Sequence, residues 1–524
     1  MSSACEYKNP IIPGFAPDPS VVFVNGTFYL VNSSFHIFPG LPIYASQDLK
    51  DWKHIGNAIN RPEQIDLSKS CIDSFGIAPG ITLIAAEGHL APSIRYHKGT
   101  FYIVCTNSVS DGTNLTTQNF YVTTKNIMSD VWSDPIFFEF KGIDPSLFFD
   151  DDDRAYAHGS YRPGPVYDPQ CAIRQVELDI ATGKALSETK EIWKGYLGKD
   201  DAEGPHIYKK DGWYYLLTAE GGTFEEHQVD MARSRDIWGP YESCPSNPIL
   251  TAYGTDEYVQ HTGHGDLFQD GLGKWWITCL GVRKENGRFP LGRETFLAPV
   301  EWVTDGWPVI EHPRMSFQRH ALLASPDQQL PHESSPRVED VYIRDANLAD
   351  YTFSKDNKTV TLLARSTDLF APTGSTTFLG KRQRSLDCTV TTSLQWDSTS
   401  STTGLSEAGL TVYKEDFRHI SIYYNHALSK ICFRRFHKFH GGATIMEFEI
   451  EPASISKIDF RIQASAMEYK FSFRVGTDDW VDAGSADTSE MTGIDFTGTI
   501  FGVFASSQEG KEGDLVVMSC VDVV

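Results

Sequence analysis

The sequence of 524 residues lacks any apolar run that approaches the roughly 20 residues needed to cross a bilayer as a helix. It is also poor in positive charge, because 46 Lys and Arg stand against 69 Asp and Glu and leave a net charge of −23. Nucleic acid and anionic membrane surfaces repel such a chain. We therefore expect no nucleic-acid or membrane partner and look for a neutral or cationic ligand.

Paired cysteines are missing as well. The nine cysteines are odd in number, scattered and never spaced as CxxC, which argues against a disulfide framework and against a zinc cage. The first residues, MSSACEYKNPIIPGF, contain no basic stretch followed by an apolar segment. A signal peptide is not expected and a cytoplasmic location is favoured, although a secreted chain without its signal would look the same. The sequence does not indicate the oligomeric state.

An internal repeat organises the first three fifths of the chain. Five segments each combine a β-prone run, a turn with Gly or Asp, and an aromatic run, which is typical of a β-hairpin. They read PDPSVVFVNGTFYLV, APSIRYHKGTFYIVCTN, IDPSLFFDDDDRAYAHG, GPHIYKKDGWYYLLTAE and HGDLFQDGLGKWWITCL. Their spacing of about 50 to 75 residues predicts a five-bladed β-propeller over residues 1–324. Unrelated hairpins in a β-sandwich are the alternative, and the shared start of the five segments argues against it.

The first strand of each propeller blade lines the central channel, so the residues that begin these strands converge on the axis. We call them the blade-start residues, and in this sequence they are Asp18, Ala91, Asp144, Glu203 (one place before Gly204) and His264. The propeller therefore predicts one pocket that contains three carboxylates and a histidine.

The remaining chain changes character. Residues 325–340 are polar and contain proline, which is typical of a linker. Residues 341–524 contain runs that alternate with a period of two, such as GLTVYKEDFRHISIYYN and KIDFRIQASAMEYKFSFRV. This pattern predicts an all-β sandwich as a second domain.

Two or three carboxylates around a neutral polar ligand suit the cleavage of a glycosidic bond. One must be protonated to donate to the leaving oxygen, and another ionised to activate water or attack carbon. A third carboxylate raises the pKa of the acid by like-charge repulsion. A propeller that binds carbohydrate without catalysis would also display acids and aromatic rings, and it stays the alternative.

Several motifs resemble glycoside hydrolase family 43, in particular its β-xylosidase branch. They are NPIIPGFAPDPSVV, GIDPSLFFD, EGPHIYKKDGWYYLLTAEGGT, HTGHGDLF and PLGRETFLAPVEW, and they cover nearly the whole chain. The branch joins a five-bladed propeller to a C-terminal, concanavalin-like β-sandwich. The resemblance implies an exo-acting, inverting β-xylosidase that releases xylose from the non-reducing ends of β-1,4-xylo-oligosaccharides. Main activity as an α-L-arabinofuranosidase is the alternative, and the fructan hydrolases, which share the architecture, have different signatures at these sites.

The resemblance also implies roles for three acids. Asp18 in PDPS is similar to the general base that activates water, and Glu203 in EGPH to the general acid. Asp144 in IDPS is similar to the residue that raises the pKa of the acid and orients it. From spacing alone, Glu220 in TAEGGT is a rival for the acid.

Four further residues resemble substrate-binding positions of the family. Arg293 in LGRET matches the arginine of the innermost sugar subsite, and His264 the histidine near the axis. Phe35 matches an aromatic wall and Phe496 the sandwich residue that closes the cleft, although both could be core residues. No cofactor is expected to be required. Some relatives hold a calcium ion near the position of His264, which makes Ca²⁺ a candidate there.

One motif departs from the family. Relatives often have Trp-Ala-Pro-Asp or a close variant where this sequence has LAPS at Leu90–Ser93. Without the tryptophan, a stacking face beside the second sugar is missing. The preferences for chain length and for xylose over arabinose are accordingly less defined than the core chemistry.

Overall fold

The computed structural model describes residues 4–78, 81–110, 115–162, 171–199, 201–322, 330, 335–395, 404–450, 457–508 and 513–524. Nearly all regular structure in these ranges is antiparallel β-sheet. The helical segments among the described residues are short 3-10 turns at Ile127–Ser129, Leu348–Asp350 and Thr488–Met491. No helix in the described part of the chain is long and apolar enough to cross a membrane.

Five sheets follow one another along the chain, and we number them blades 1 to 5. In each, the first strand is the innermost. Blade 1 consists of Ser20–Val24, Thr27–Val31, Gly40–Ser46 and Lys53–Ile59, and blade 2 of Gly88–His97, Thr100–Ser110, Leu115–Thr124 and Ile136–Phe138. Blade 3 consists of Gly142–Phe149, Ala155–Tyr161, Ala172–Asp179, Lys184–Ala185 and Lys190–Trp193. Blade 4 consists of Glu203–Lys210, Trp213–Glu220, Gln228–Ser234, Glu242–Ser243 and Leu250–Thr251, and blade 5 of Val259–Gln269, Trp275–Arg283, Glu294–Glu301 and Val309–Ile310.

The five sheets form a closed ring. Each innermost strand contacts the next, and that of blade 5 contacts that of blade 1. The N-terminal strand Ala4–Lys8 pairs with Ser316–His320, beyond blade 5. The side-chain amide of Asn9 donates to the carbonyl of Leu297 in blade 5 at 2.8 Å. The predicted five-bladed propeller is confirmed.

The blade starts share a backbone conformation. Asp18, Ala91, Asp144, Gly204 and His264 all have positive φ, between 45° and 56°. Strand pairing is irregular at this point in blades 2 to 5. A non-glycine residue in the left-handed region costs about 1 kcal/mol or more, so the repetition marks a built feature of every blade.

One buried ion pair ties the innermost strands together along the axis. The Arg95 guanidinium of blade 2 donates to Asp266 Oδ2 of blade 5 at 3.0 Å. The hydroxyl groups of Ser20 and Tyr208 also donate to Asp266, each at 2.6 Å. Burial alone would raise the pKa of Asp266, but Arg95, His206 and these hydroxyl groups lower it to about 2. Asp266 is therefore a fully buried, ionised acceptor.

The same network reaches the innermost strand of blade 3 through a neutral histidine of blade 4. Burial lowers the pKa of His206 to about 3. Its Nδ1 lies 2.8 Å from Arg95 Nη2 and 2.9 Å from the Ser146 hydroxyl of blade 3. We call Ser20, Arg95, Ser146, His206, Tyr208 and Asp266 the axial network. It takes at least one side chain from every blade.

The second domain is a sandwich of two sheets, as predicted. One contains Tyr351–Phe353, Thr359–Leu363, Leu515–Ser519, Cys388–Gln395, Lys457–Ala464, Glu468–Val475, Val481–Asp487 and Asp522–Val523. The other contains Phe378–Arg382, Ile500–Ser507, Leu405–Glu415, Arg418–Asn425, Lys430–His437 and Gly442–Glu449. Their apolar inner faces pack into the largest hydrophobic core of the described chain.

Backbone pairing joins the two domains. Tyr342–Ile343, at the start of the sandwich, pairs with Ile37–Phe38 of the propeller. A hairpin of Ile72–Ala78 and Ile81–Ala86 follows blade 1, and the Ile84 amide donates to the carbonyl of Ile494 at 2.8 Å. Of the predicted linker, residues 325–329 and 331–334 lie outside the described residues.

We expect Asp266→Ala to destabilise the propeller, because it leaves the largely buried Arg95 guanidinium without its counter-ion. Loss of one partner of a buried pair costs about 3–5 kcal/mol. Asp153→Ala is the matched control, since Asp153 pairs with Lys98 at the exposed hairpin of blade 3 and such pairs contribute about 0–1 kcal/mol. Thermal unfolding followed by circular dichroism measures both. Equal midpoints for the two variants would contradict the role given to the network.

Candidate active site

The seven side chains predicted for the site form one connected cluster. Asp18 lies 3.5 Å from Arg293 Nη1 and 3.9 Å from His264 Nδ1. The ring of His264 packs against Gly204, the residue after Glu203, so closely that a Cβ there would lie 3.1 Å from Nδ1. Asp144 accepts the amide of Gly204 at 3.0 Å. The two aromatic residues, Phe35 and Phe496, complete the cluster through the Arg293 guanidinium, which lies over both rings.

Asp18 is surrounded by groups that favour its charged form. It is 4% exposed, and its Oδ2 accepts the Ser33 hydroxyl at 2.5 Å. Burial would raise its pKa, but the Arg293 guanidinium, followed by His264 and the Ser33 hydroxyl, outweighs burial and holds the pKa below its usual value. The Ala91 amide fixes the Ser33 oxygen at 2.7 Å. Asp18 is thus ionised and can accept a proton.

Glu203 has the opposite environment. Burial, reinforced by the negative charge of Asp144, raises its pKa to about 8, against the opposing charge of Arg162. Arg162 Nη2 lies 3.4 Å from Glu203 Oε2. With this pKa, Glu203 is protonated at neutral pH. Its side chain is 19% exposed and therefore accessible to a substrate. Glu203 can therefore donate a proton.

Asp144 has neighbouring groups that shift its pKa in both directions. Burial and the charge of Asp18 raise its pKa, while His264, Arg162 and the Gly204 amide oppose them. Its bond to Gly204 fixes the backbone next to Glu203. On the other side of Glu203, the Ser160 hydroxyl donates to the carbonyl of Ala202 at 2.9 Å. Blade 3 thus holds the backbone on both sides of Glu203.

The sandwich domain supplies part of the cluster. Arg293 donates from Nε and Nη2 to the carbonyl of Phe496 at 3.3 and 3.1 Å, and its guanidinium carbon lies 4.8 Å from the centre of the Phe496 ring. Phe496 stacks on Phe35 at 5.8 Å and on Phe224 at 6.3 Å. Phe35 is only 2% exposed and belongs to the same hydrophobic cluster, whereas Phe496 is half-buried. Phe496 is therefore the more accessible of the two predicted aromatic residues.

A buried ion cluster anchors the segment that carries Phe496. Asp495 lies 2.9 Å from Lys414 Nζ and 2.7 Å from Arg418 Nη2, and all three side chains are almost fully buried. Lys414 also donates to the carbonyl of Met491 at 2.6 Å. The sandwich thus fixes Asp495, the residue directly before Phe496, through two ion pairs.

Glu220, the rival acid, is engaged elsewhere. Its two oxygens accept the amides of Tyr196 and Leu197 at 2.6 and 2.8 Å. Burial raises its pKa to about 7, although these two bonds oppose the shift. Glu220 therefore holds the segment that leads into blade 4, rather than facing Asp18.

The surroundings of His264 do not fit a calcium ion bound by protein side chains. Calcium takes six to eight oxygen ligands, whereas Asp18, whose carboxylate lies 3.9 Å from His264 Nδ1, is already neighboured by Arg293. Among the described residues, the group of three potential ligands within 4.8 Å of one another is Cys71, Asp73 and Glu87, and it excludes His264.

Sequence reasoning did not find the supporting residues Ser33, Arg162, Thr223, Phe224 and Asp495. Thr223 accepts Arg293 Nη1 at 3.0 Å from a loop of blade 4. None of the five begins a blade, which was the signal that identified the acids. Asp495 could have been noticed only through its place next to Phe496.

A propeller that gathers one ionised and one protonated carboxyl group beside a sandwich is typical of glycoside hydrolases. The model of glycosyl hydrolases family 43 matches residues 7–308, and that of the β-xylosidase C-terminal concanavalin A-like domain matches residues 338–517. The chain belongs to glycoside hydrolase family 43. It is therefore a glycoside hydrolase, and hydrolysis in this family inverts the anomeric configuration. The resemblance found in the sequence is confirmed.

Relatives extend over both domains. A xylosidase/arabinosidase of Butyrivibrio fibrisolvens is 34% identical over 97% of this chain and 97% of its own. A non-reducing-end α-L-arabinofuranosidase of Bacteroides ovatus is 36% identical over 79% of this chain and 75% of its own. The crystal structure of xylan β-1,4-xylosidase from Bacillus halodurans aligns with a TM-score of 0.84 at 29% identity, over 98% of this chain and 100% of that one.

We expect Gly292→Ala to disturb the cluster through the domain junction. Gly292 has a φ of +70°, and a Cβ there would lie 2.0 Å from the carbonyl oxygen of Thr497, next to Phe496. The clash should displace Phe496 from Arg293 and lower kcat/KM at least about tenfold, because positioning errors of about 1 Å have effects of this size or larger.

Gly287→Ala is the matched control in the same loop. Gly287 has a φ of +80° with nothing within 4 Å of its Cβ position, so this variant has only the backbone cost of about 1 kcal/mol. Steady-state kinetics and thermal unfolding separate the two effects. Equal kcat/KM values for the two variants would contradict a functional domain junction.

Proposed function

We propose that the protein is an exo-acting β-xylosidase that releases xylose from the non-reducing ends of β-1,4-xylo-oligosaccharides. The observation that carries this proposal is the opposite protonation of two carboxyl groups in one cluster, with the pKa of Asp18 lowered and that of Glu203 raised. The relatives named xylosidase or xylosidase/arabinosidase support the substrate class.

In the proposed reaction, Glu203 gives its proton to the glycosidic oxygen as the bond from that oxygen to the anomeric carbon breaks. Asp18 takes a proton from a water molecule, whose oxygen bonds to the anomeric carbon from the opposite face. Both protons and the inverted configuration are thereby accounted for. Arg293 and His264 beside Asp18 would bind hydroxyl groups of the terminal sugar.

The exo mode is inferred from the sandwich. Phe496 and the segment anchored by Asp495 lie against Arg293, on the side of the cluster that contains Asp18. A chain that continued past the terminal sugar would meet this segment. Removal of single sugars from chain ends suits such an arrangement better than cleavage inside a polymer.

α-L-Arabinofuranosidase is the second candidate for the main activity. The relative of Bacteroides ovatus carries that name. Leu90, which stands where relatives often have tryptophan, packs partly buried beside the cluster of Phe35 and Phe496, so a large stacking face for a second xylose is not supplied there. The ratio of kcat/KM for 4-nitrophenyl β-D-xylopyranoside and α-L-arabinofuranoside decides between the two.

Proton NMR of xylobiose mixed with the enzyme tests the main proposal. We expect α-xylose to appear in the first minutes and to mutarotate afterwards, since a direct displacement inverts the anomeric carbon. Asp18→Ala and Glu203→Ala should fold normally and lower turnover by several orders of magnitude. Near-native rates in either variant would exclude the assigned roles.

The pH profile of kcat/KM should reflect the two carboxyl groups. Glu203 must be protonated, so activity is lost as the pH rises through about 8, the pKa of Glu203. Asp18 must be ionised, and its lowered pKa places the acidic limb below the usual range of an aspartate. Initial rates across the pH range measure both limbs. An alkaline limb near pH 5 would show that the protonated group is not Glu203 in this environment.

A further inference from the structure

The proposed function leaves one charged neighbour of Glu203 without a role. Arg162 follows the second strand of blade 3, and its amide donates to the carbonyl of Lys141 at 3.0 Å, which fixes the start of the side chain. Its Nη2 lies 3.4 Å from Glu203 Oε2, and its side chain is 25% exposed. Its Nε is buried and has no hydrogen-bond partner among the described residues. Among the described residues, the guanidinium is thus held at the acid through Nη2.

The other charged groups that most affect Glu203 have the opposite sign. Asp144 from blade 3, Asp201 from the segment before blade 4 and Asp18 from blade 1 all act on it as anions. The buried thiol of Cys171, in front of the third strand of blade 3, also lies in this environment, and burial raises its pKa. On the side of Gly204 lies the ring of His264. Arg162 is the cation among the groups that most affect Glu203.

This arrangement opposes the protonated acid that the reaction needs. A guanidinium beside Glu203 favours the carboxylate, and in the resting enzyme it only weakens the effect of burial and of Asp144. Arg162 can therefore favour the reaction only at a later step, when Glu203 loses its proton. As the proton moves to the glycosidic oxygen, negative charge develops on Glu203, and the attraction to Arg162 grows.

We propose that Arg162 is a positioning residue that holds Glu203 through Oε2 and stabilises the carboxylate formed when Glu203 protonates the leaving group. The inference rests on the proposed function, in which Glu203 is the general acid. An interaction that is stronger in the transition state than in the ground state accelerates the chemical step. The help from Arg162 is then largest for substrates whose leaving group needs a proton.

Leaving-group dependence gives the test a direct measure. The leaving group of xylobiose is a xylose unit, which departs as an alkoxide unless its oxygen is protonated. The leaving group of 2,4-dinitrophenyl β-D-xylopyranoside departs as a stable phenolate. We expect Arg162→Gln to lower kcat for xylobiose about 10- to 100-fold, at the lower end of losses for a stabilising donor because the pair is partly exposed. The dinitrophenyl substrate should lose less than threefold.

The pH profile provides a second measure that a merely structural role would not move. Removing the positive charge favours the neutral form of Glu203, so its pKa rises and the alkaline limb of kcat/KM moves to higher pH. Arg162→Lys keeps the charge and should restore most of the activity on xylobiose. Arg154→Gln, at the exposed end of the same strand, should match the wild type in kcat and in the pH profile.

Each outcome decides a different point. An equal loss on both substrates with an unmoved alkaline limb would mean that Arg162 only supports the local structure, and unchanged kinetics would mean that it has no role. Either result overturns the proposal while the proposed function stands. If the wild type hydrolyses neither substrate, the proposed function fails first and the role of Arg162 falls with it. Thermal unfolding of all variants confirms that the kinetics refer to folded enzyme.

Discussion

The buried pair of Arg95 and Asp266 fixes the geometry from which the site is built. An ionised carboxylate without access to water is stable only when several donors surround it, and here the donors come from different blades. Any rotation of one blade would break a bond to this single charge. The strands that the pair fixes are those whose first residues carry the acids. Ser20, Ser146, His206 and Asp266 each lie two residues after Asp18, Asp144, Gly204 and His264.

Carboxyl groups of similar intrinsic acidity take opposite roles because their neighbours differ in charge. Asp18 faces Arg293 and His264, whereas Glu203 faces Asp144 with one partly exposed arginine. Glu203 also departs from the five-fold pattern, since the left-handed position of blade 4 is taken by Gly204. In blade 4 the general acid Glu203 thus lies one residue before the position that the base Asp18 occupies in blade 1. Inversion requires the two carboxyl groups to leave room for a water molecule, and a departure from the repeat is one way to create it.

Much of the fold could be predicted because each element repeats a local requirement. Every blade needs the same turn and hairpin, and the sandwich needs alternating strands, so both patterns are present in the sequence. The acids were found because they begin blades. Arg162 and Ser33 were not, because their function depends on which loops meet across blades. Asp150 begins a run of four aspartates in the hairpin of blade 3, yet it is buried against Lys209 and Tyr214 of blade 4. Such contacts between distant segments leave no periodic signal.

The sandwich domain closes one side of the site and also influences the protonation of its catalytic base. Arg293 lowers the pKa of Asp18, and Arg293 itself is held by the carbonyl and ring of Phe496, which belongs to the other domain. The protonation of the base therefore depends on how well the two domains are docked. Binding and docking are reciprocal by linkage. A sugar that contacts Arg293 and Phe496 together must strengthen the domain junction by as much as the docked junction strengthens sugar binding.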